Sequence, residues 1–557
     1  MFFGMVLETF SIGLVVPLVS IISNSNSIEK YEFLQPILEM FNSFGFDFVV
    51  ASMLILLFVF IFKTLFLTYL YWRQSKFIYD SQADTSKRLF EQYLFLPYSF
   101  HISNNSAQLI RNVVTETTQL ANGAISTGMT LVIEVLVMLG IIVLLFVIEP
   151  IGALVVGLSL GLVGGIFYFA SRNYILMLGS KRHQHEGYRL QHIQQGLNGI
   201  KDIKITGNEN YFINRYSLHN THFANAAQKQ YFIQNVPRIA LELITILSLI
   251  SLVLFMISQG KGLHQIVPIL AMFGAAAFRL MPSLNRILGN WQTFQYTTPV
   301  INTIYKEFHE RTKKPLAANS KKEKLTFNNL IVLENISYAY SQKLLLVLDD
   351  INVKIKHGTS IGLIGSSGAG KSTLVDIILG LLTPTSGRIL IDGVGLEDNL
   401  SKWQNNIGYV PQSIYITDDS IKNNIAFGVD ETMIDEQKIN KAIELAQLKE
   451  YVGILEEGIN TNLGEMGVRL SGGQKQRIGI ARALYNNPDV LIFDEATSAL
   501  DNETEKEFMK AVDFLHGKKT LIIIAHRLTT VANCDYIYKL EKGKIVSTEI
   551  QVEISNV

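Results

Sequence analysis

The first half of the chain alternates long apolar runs with longer stretches of mixed composition. Six runs are apolar over about 20 residues, the length that a helix needs to cross the hydrocarbon core of a bilayer. Between them, 73–128 and 172–238 are rich in Gln, Leu, Lys and Glu and contain few helix breakers. The pattern predicts six membrane-crossing helices with long helical extensions. The apolar runs are 1–22, 48–72, 129–148, 150–171, 239–258 and 263–285.

Basic residues outside the apolar runs set the orientation. The two long stretches hold many lysines and arginines, whereas the loops on the opposite side hold only Lys30 and Lys261. Because positively charged loops stay in the cytosol, we expect both stretches there, and six crossings return the C-terminal half to the same side. Interruptions at Pro97-Tyr98 and around Gly207-Asn208 predict short crosswise helices that contact that half. Two ordinary large loops are the alternative.

The composition agrees with a membrane protein that carries a soluble part. Hydrophobic residues make up 48% and charged residues 17% of the 557 residues, against about 25% charged residues in soluble domains. The formal net charge is zero, which gives no electrostatic footprint for nucleic acid. Cys534 is the single cysteine, so no disulfide can form within the chain.

A glycine-rich motif carries the chemistry of the C-terminal half. The β-rich run 360–364 leads into it and a helical pattern over 373–378 follows, which is the strand–loop–helix context of a phosphate-binding loop. Glycines let backbone N–H groups approach phosphates, and the helix N-terminus adds a favourable dipole. We expect Lys371 to reach the β- and γ-phosphates of ATP and Ser372 to ligate Mg²⁺. The motif comprises Gly365, Ser366, Ser367, Gly368, Ala369, Gly370, Lys371, Ser372 and Thr373.

Four further side chains are placed for ATP hydrolysis. Asp494 ends the apolar run 490–493 and is expected to hold the same Mg²⁺, directly or through water. Glu495 follows it and is expected to polarise the attacking water. Gln412 is expected to sense both the Mg²⁺ and this water, and His526, which follows another apolar strand, to contact the γ-phosphate.

A further motif, Leu470-Ser471-Gly472-Gly473-Gln474, lies between Gln412 and Asp494. The order of the phosphate loop, Gln412, this motif, Asp494-Glu495 and His526 resembles that of the ATP-binding cassette (ABC) family. The resemblance covers nearly the whole chain. It implies that Tyr340 stacks on adenine, that 498–501 is the D-loop and that Glu465 lies in the loop that touches the crosswise helices. It also implies a signature of Ser471, Gly472, Gly473 and Gln474, in which Ser471 and Gly473 bind the γ-phosphate of ATP held by a partner subunit. ATP would then lie between two chains. We expect a homodimer, and a heterodimer is the alternative.

The family resemblance also sets the expected fold class and domain bounds. We expect an all-α six-helix transmembrane domain with long cytosolic extensions over 1–300 and a linker over 301–330. An α/β P-loop ATP-binding cassette domain follows over 331–557, as in a type IV half-exporter. The first apolar run begins almost at Met1, which leaves the first crossing short. A start upstream of Met1 and a naturally short chain both fit this pattern.

Basic residues lie within or beside the apolar runs, where ionisable groups are costly and usually face a cavity. Arg279 and Arg286 are seven positions apart, on one helical face. A basic-lined cavity suits an anionic head group such as a phosphate or pyrophosphate, since arginine binds two oxygens at once. Interfacial side chains or internal ion pairs are the alternative. The basic candidates for substrate binding are Lys63, Arg238, Arg279 and Arg286, and their possible acidic partners are Glu8, Glu134 and Glu242.

The membrane half also resembles the PglK-type flippases of lipid-linked oligosaccharides. This resemblance implies that the matching basic positions handle a pyrophosphate, and that an outward-side helix contacts the polyprenyl tail. The segment 31–44 is the candidate for that helix, and a plain surface loop is the alternative. The blocks that carry the likeness are Leu7-Glu8-Thr9-Phe10 with Pro17, Pro237-Arg238-Ile239 with Leu241-Glu242, and Phe278-Arg279-Leu280-Met281-Pro282-Ser283 with Asn285-Arg286-Ile287.

These observations predict an ATP-driven flippase for a polyprenyl-pyrophosphate-linked glycan or a related lipid-linked saccharide. It would act in the bacterial inner membrane and serve protein glycosylation. A lipid or multidrug exporter is the first alternative, and its cavity would be more apolar. A regulatory ABC protein that binds ATP without pumping is the second, and the intact Glu495 and His526 argue against it.

Overall fold

The computed structural model of the chain describes residues 2–14, 48–148, 150–259, 263–310, 323–340, 345–496, 505, 509, 510, 512, 514–525 and 527–550. The chain divides into two compact units. One comprises Met1–Leu96 with Ser103–Lys314, and the other comprises Pro97–Ile102 with Pro315–Val557.

The first unit is helical over its described residues. Two π-helical turns, Asn112–Glu116 and Ala121–Ser126, lie on either side of the short helix α5. The α-helices, including α3 at the junction of the two units, are α1 (Phe2–Gly13), α2 (Phe48–Phe95), α3 (Tyr98–Ser103), α4 (Ser106–Arg111), α5 (Thr117–Leu120), α6 (Thr127–Ile148), α7 (Pro150–Asn198), α8 (Ile200–Thr206), α9 (Glu209–Ser258) and α10 (Leu263–Glu310).

The helices agree with the predicted apolar runs. Five of the six runs lie in α2, α6, α7, α9 and α10, and α1 covers the described part of the first. Within the described residues, three spans are long and apolar enough to cross a membrane by length and composition: Met53–Phe95, Ser106–Val147 and Glu209–Ser258. The other three predicted crossings stay predictions.

The cytosolic extensions are helical, as predicted, but they break at more places than the sequence indicated. The predicted breaks at Pro97 and Gly207 are confirmed, and Gly207 ends α8 with a left-handed backbone (φ 67°). Two further breaks occur at Gly199 and at Asn105. The Asn105 side chain accepts a hydrogen bond from the Ala107 N–H at 2.9 Å and so caps α4. A short polar side chain at such a position favours a helix start over a continuous helix.

The two predicted crosswise helices belong to different units. Residues 97–102, with most of α3, group with the C-terminal unit, which confirms the predicted contact of the first crosswise helix. Burial, with the nearby carboxyl of Asp376, raises the pKa of Tyr98. Helix α8 groups with the membrane unit. In addition, α10 continues to Glu310, past residue 301, where the linker was predicted to begin.

The second unit contains two sheets. An antiparallel sheet has the order β2-β1-β4-β5, and a six-stranded sheet has the order β10-β9-β3-β8-β7-β6, parallel except for β10. The strands are β1 (Leu330–Tyr338), β2 (Leu348–Lys356), β3 (Ser360–Ile364), β4 (Ser386–Ile391), β5 (Val394–Gly395), β6 (Ile407–Val410), β7 (Val490–Asp494), β8 (Thr520–Ile524), β9 (Tyr536–Glu541) and β10 (Lys544–Ile550). The helices used below are α11 (Lys371–Ile378) and α12 (Gly472–Leu484).

Strand β7 shows why the central strands read as continuous apolar runs. Leu491 and Phe493 pack in one hydrophobic core, whereas Val490 and Ile492 pack in a second. Successive side chains of a strand point to opposite faces, so a strand buried on both faces needs apolar residues at every position. This sheet brings the carboxyl ends of β3, β7 and β8 to one edge, where the predicted chemistry lies.

Candidate nucleotide-binding site and membrane ion cluster

The predicted phosphate loop joins β3 to α11 and requires glycine at two positions. A Cβ at Gly365 would meet the backbone carbonyl of Leu540, and Gly370, with φ 102°, faces Leu348 at 2.8 Å from an added Cβ. Only glycine fits such positions without strain. The backbone is therefore free to bend around a phosphate ahead of the α11 N-terminus.

A cavity of about 590 Å³ opens over this loop. It brings together the predicted adenine-stacking residue Tyr340, most of the phosphate loop, and the predicted Gln412 and Glu495. Tyr340 is 47% exposed, and its hydroxyl lies 3.1 Å from Thr373 Oγ1. The cavity is lined by Tyr340, Val347, Ser367, Gly368, Ala369, Gly370, Lys371, Ser372, Thr373, Gln412 and Glu495.

Lys371 lies across its own loop. Its Nζ donates hydrogen bonds to the carbonyl oxygens of Gly365 at 2.8 Å and Ser366 at 3.1 Å. Burial lowers the pKa of Lys371, while the nearby carboxyls of Glu495 and Asp494 act in the opposite direction. The ammonium group is therefore held beside the phosphate loop and close to the two acidic residues.

Asp494 and Glu495 follow each other at the end of β7 but have different surroundings. Asp494 accepts a hydrogen bond from the Tyr409 hydroxyl at 3.4 Å, and burial, with Glu495 beside it, raises its pKa. Glu495 has a left-handed backbone (φ 48°), which is uncommon for a residue with a side chain and concentrates at functional sites. The Gln412 amide donates to Glu495 Oε2 at 2.7 Å. The two predicted hydrolysis residues Gln412 and Glu495 thus contact each other.

Asp376 is a partly buried carboxyl of α11 near Asp494 that the sequence did not single out. Burial, with Asp494 nearby, raises its pKa to about 6. Asp376 lies four positions after Ser372 on α11, so the two share a helical face. This four-residue spacing from the predicted Mg²⁺ ligand Ser372 is the feature of the sequence that could have identified Asp376.

The acidic residues near the phosphate loop suit a Mg²⁺ ion. Mg²⁺ prefers oxygen ligands, and the predicted set supplies a hydroxyl (Ser372), a carboxylate (Asp494) and an amide oxygen (Gln412). The raised pKa values of Asp494 and Asp376 reflect carboxyls crowded together in a buried place. A divalent cation would relieve that repulsion.

The predicted signature lies at the start of α12 and does not line the nucleotide cavity of its own chain. Ser471 Oγ accepts from the Gln474 N–H at 3.2 Å, and Gln474 Oε1 accepts from the Ser471 N–H at 2.8 Å, which forms a capping box. Ser471 and Gly472 are exposed. The start of α12 is therefore preorganised and accessible to another molecule. The predicted His526 and the D-loop 498–501 lie outside the described residues.

Predicted basic residues of the membrane half meet acidic ones in what we call the membrane ion cluster: Glu8 on α1, Lys63 on α2, Glu134 on α6, and Arg279 and Arg286 on α10. Arg279 Nη2 lies 2.7 Å from Glu8 Oε2, and Arg279 Nη1 lies 3.5 Å from Glu134 Oε2. Arg286 Nε lies 2.6 Å from Glu134 Oε1. The shared contact with Glu134 places both arginines on one helical face, as predicted.

Lys63 differs from the two arginines. Its Nζ lies 3.3 Å from Ser11 Oγ and 4.6 Å from the Phe60 ring centroid. Among the described residues, no carboxylate lies within ion-pair distance of it. Arg238 lies apart from the cluster and pairs with Glu242 on its own helix at 3.1 Å, with both side chains exposed.

For Arg238, Arg279 and Arg286 the structure therefore shows internal ion pairs, the alternative to a purely basic cavity. With all groups ionised, three cations meet two carboxylates in the cluster, which leaves a formal charge of +1. The sequence identified both signs of charge but not which residues pair, because pairing depends on how α1, α6 and α10 pack.

Comparisons with known proteins agree with this architecture. The model of the ABC transporter family matches residues 348–498, and that of the ABC transporter transmembrane region matches 14–275. The ATP-dependent lipid A-core flippase of Francisella tularensis is 32% identical over 487 residues, which cover 85% of this chain and 77% of that protein. The chain belongs to the ABC transporter family.

Other relatives extend the comparison. The ATP-dependent lipid A-core flippase of Cupriavidus pinatubonensis is 29% identical over 461 residues, covering 82% of the chain and 77% of that protein. The solved structure of a bacterial Atm1-family ABC exporter with ATP bound superposes with a TM-score of 0.79 at 23% identity, covering 98% of this chain and 93% of that one. That likeness confirms the predicted fold class, a helical membrane domain followed by an α/β ATP-binding cassette.

The membership establishes the general activity. This ABC transporter is a membrane-spanning protein that binds and hydrolyses ATP. The roles of the individual site residues stay predictions, and their geometry supports them to different extents. Tyr340, Gln412 and Glu495 reach the cavity over the phosphate loop, whereas the exposed signature does not.

Proposed function

We propose that this ABC transporter is an ATP-driven flippase for a lipid whose head group carries phosphate or pyrophosphate. The observation that carries the proposal is the membrane ion cluster, in which Lys63 has hydroxyl and ring contacts but no carboxylate partner among the described residues. An unpaired cation between membrane helices is costly, and an anionic head group would supply the missing charge. The named relatives, called lipid A-core flippases, are consistent with a lipid cargo.

The cluster is built to exchange partners rather than to stay neutral. The Arg279 side chain is 21% exposed and bonds Glu8 and Ser283 through separate nitrogens. A guanidinium can bind two phosphate oxygens at once, so a head group could replace one carboxylate contact while Glu134 keeps α10 in place. Glu134, with a side chain only 3% exposed, is the fixed member.

An apolar groove beside the cluster fits the lipid tail. A cavity of about 620 Å³ lies between α1 and α6, lined by apolar side chains such as Met5, Phe10, Leu139 and Val143. The same two helices carry Glu8 and Glu134. The head-group charges and an acyl or prenyl groove are therefore on neighbouring turns, an arrangement that an amphiphilic substrate requires. The predicted tail-binding segment 31–44 lies outside the described residues.

As the finer proposal, the cargo is a polyprenyl-pyrophosphate-linked oligosaccharide, moved across the bacterial inner membrane for protein glycosylation. The support is the likeness of three short blocks to the PglK-type flippases, which includes Arg238, Arg279 and Arg286. A lipid A-core type of cargo is the second candidate, favoured by the names of the relatives. Both cargo types combine saccharide, lipid and phosphate.

The proposed working unit is a dimer with ATP and Mg²⁺ between two cassettes. In it, Lys371 and the phosphate loop hold ATP, and Ser372, Asp494 and Gln412 hold Mg²⁺. Glu495 orients the attacking water. The signature of the second copy completes the site, and its exposure at the start of α12 supports this role. We propose a homodimer.

Purified transporter in proteoliposomes tests the proposal. We expect ATP hydrolysis to be stimulated by polyprenyl-pyrophosphate oligosaccharide more than by lipid A-core, and by neither an uncharged glycolipid nor cationic drugs. Lys63→Gln should reduce this stimulation several-fold and leave unstimulated hydrolysis intact. Lys76→Gln, an exposed lysine on the same helix, is the matched control.

The outcomes separate the levels of the proposal. Stronger stimulation by lipid A-core would replace the finer cargo and keep the phosphorylated head group. Equal stimulation by an uncharged glycolipid, or full stimulation of Lys63→Gln, would reject the head-group proposal.

A further inference from the structure

Four histidines meet between α7 and α9, in the extensions outside the apolar runs. We call His185 and His192 on α7, with His219 and His222 on α9, the histidine zipper. The Nδ1 atoms of His185 and His219 are 2.9 Å apart. His222 stacks on His185 with ring centroids 4.7 Å apart, and His192 stacks on His219 at 5.3 Å. The rings thus alternate between the two helices.

The sequence spacing explains this convergence. His185 and His192 are seven positions apart and His219 and His222 three apart, so each pair lies on one face of its helix. Helices α7 and α9 are joined through the short α8 and run in opposite directions, which lets residues before the junction meet residues after it. The Tyr188 ring packs against the His219 ring, with the ring centroids 4.7 Å apart.

The surroundings of the central pair, His185 and His219, favour neutral rings. Burial lowers the pKa of both His185 and His219, and the neighbouring histidines add to this effect. The charged groups that shift them are also basic, Lys181 for His185 and Arg215 for His219. The adjacent Glu186 carboxylate forms a salt bridge with Arg182 at 2.6 Å. Neutral imidazole is the form that binds transition metals.

The central pair already has nearly the geometry of two ligands on one ion. Zinc–nitrogen bonds of about 2.0–2.1 Å in a tetrahedral site place two ligand nitrogens about 3.3 Å apart. His185 and His219 would need to separate by only about 0.4 Å from their present 2.9 Å. In the described part of the chain, no three His, Cys, Asp or Glu side chains are already arranged to hold a metal ion. A third protein ligand must therefore rotate into place.

We propose that His185 and His219 form an interhelical site for a divalent transition metal such as Zn²⁺, with His222 as the third ligand and water as the fourth. His222 is exposed and stacked on His185, so its ring can turn without displacing core side chains. The ion takes the place of the proton shared by the two Nδ1 atoms, and that proton moves to Nε2 of the same ring. A bound ion would tie α7 to α9.

Metal binding to the intact, tag-free and nucleotide-free protein tests the proposal. Titration calorimetry with Zn²⁺ is expected to give one ion per chain at this site, and Co²⁺ to give the visible absorption of a tetrahedral nitrogen-containing site. His185→Asn combined with His219→Asn should weaken this binding at least tenfold and abolish the Co²⁺ band. His516→Asn is the matched control, because His516 lies in the other unit and pairs with Asp535 at 3.2 Å.

Three results would overturn the metal site. The first is that the protein binds no Zn²⁺ below millimolar concentration. The second is that the double variant binds Zn²⁺ with unchanged affinity. The third is that His516→Asn loses as much Zn²⁺ affinity as the double variant. Circular dichroism of the metal-free double variant checks that it folds. If the double variant does not fold, the single variant His222→Asn tests the site instead. We expect it to bind Zn²⁺ several-fold more weakly, and an unchanged affinity would reject the site. The affinity should also fall between pH 7.5 and pH 6, since protons compete for the same nitrogens.

Discussion

Arg286 Nε lies 2.6 Å from Glu134 Oε1, while Glu134 also contacts Arg279 and accepts a hydrogen bond from the Ser283 hydroxyl at 2.7 Å. One carboxylate with a side chain only 3% exposed thus holds two arginines of α10 against α6. Removing one partner of a buried ion pair costs more than the pair contributes, because the remaining charges are left uncompensated.

We therefore expect Glu134→Gln to lower the stability of the membrane half by about 3 kcal/mol, seen as a lower midpoint of thermal unfolding in detergent. Glu242→Gln is the matched control. Glu242 pairs with Arg238 one turn away on an exposed face, and such pairs contribute about 0.5 kcal/mol or less. Equal midpoints for the two variants would show that Glu134 is not the fixed member of the cluster.

Glu8 is expected to act differently from Glu134, as a competitor of the head group. The Glu8 side chain is 10% exposed, against 3% for Glu134, and Glu8→Gln would leave a formal charge of +2 in the cluster. We expect this variant to need several-fold less phosphorylated lipid for half-maximal stimulation of ATP hydrolysis. The measurement is a lipid titration below the unfolding temperature, again with Glu242→Gln alongside. A half-stimulating concentration that stays constant or rises would contradict competition by Glu8.

The nucleotide site makes a prediction that separates binding from turnover. Glu495 accepts a hydrogen bond from Gln412 at 2.7 Å and lies beside Asp494. Replacing it by Gln keeps its size and a carbonyl oxygen for the Gln412 amide, yet removes the base. Glu495→Gln should reduce ATP hydrolysis by about 100-fold or more and keep ATP binding. Glu541→Gln, on β9 beside Lys539, is the control. Full turnover of Glu495→Gln would reject its proposed role.

How far the sequence predicted the fold follows from how local each signal is. The apolar runs located the membrane helices and the buried strands, because a strand buried on both faces, such as β7, must be apolar throughout. The phosphate loop was predicted because the surrounding atoms leave no room for a Cβ at Gly365 and Gly370, so the motif shows directly in the sequence. The π-helical turns and the break at Gly199 have no comparable local signal, since they depend on how neighbouring helices pack.

The sites divide in the same way. The nucleotide residues were found by motif, but Asp376 was not, because only the fold brings it near Asp494. In the membrane half the sequence identified the charged residues but did not predict which of them form ion pairs. The packing of α1, α2, α6 and α10 decides that Glu134 pairs with both arginines while Lys63 contacts Ser11.

A last prediction concerns the close approach of α7 and α10. A Cβ at Gly179 would meet the backbone carbonyl of Tyr296, an atom that cannot turn aside as a side chain does. Gly179→Ala must therefore push the two helices apart, at a cost of about 1–3 kcal/mol. On the same helix, a Cβ at Gly161 would meet nothing within 4 Å. Gly161→Ala should be neutral or slightly stabilising, because alanine favours the helix over glycine. Thermal unfolding of the two variants compares the same chemical change at both positions, and an equal effect would show that α7 and α10 do not pack as closely as described.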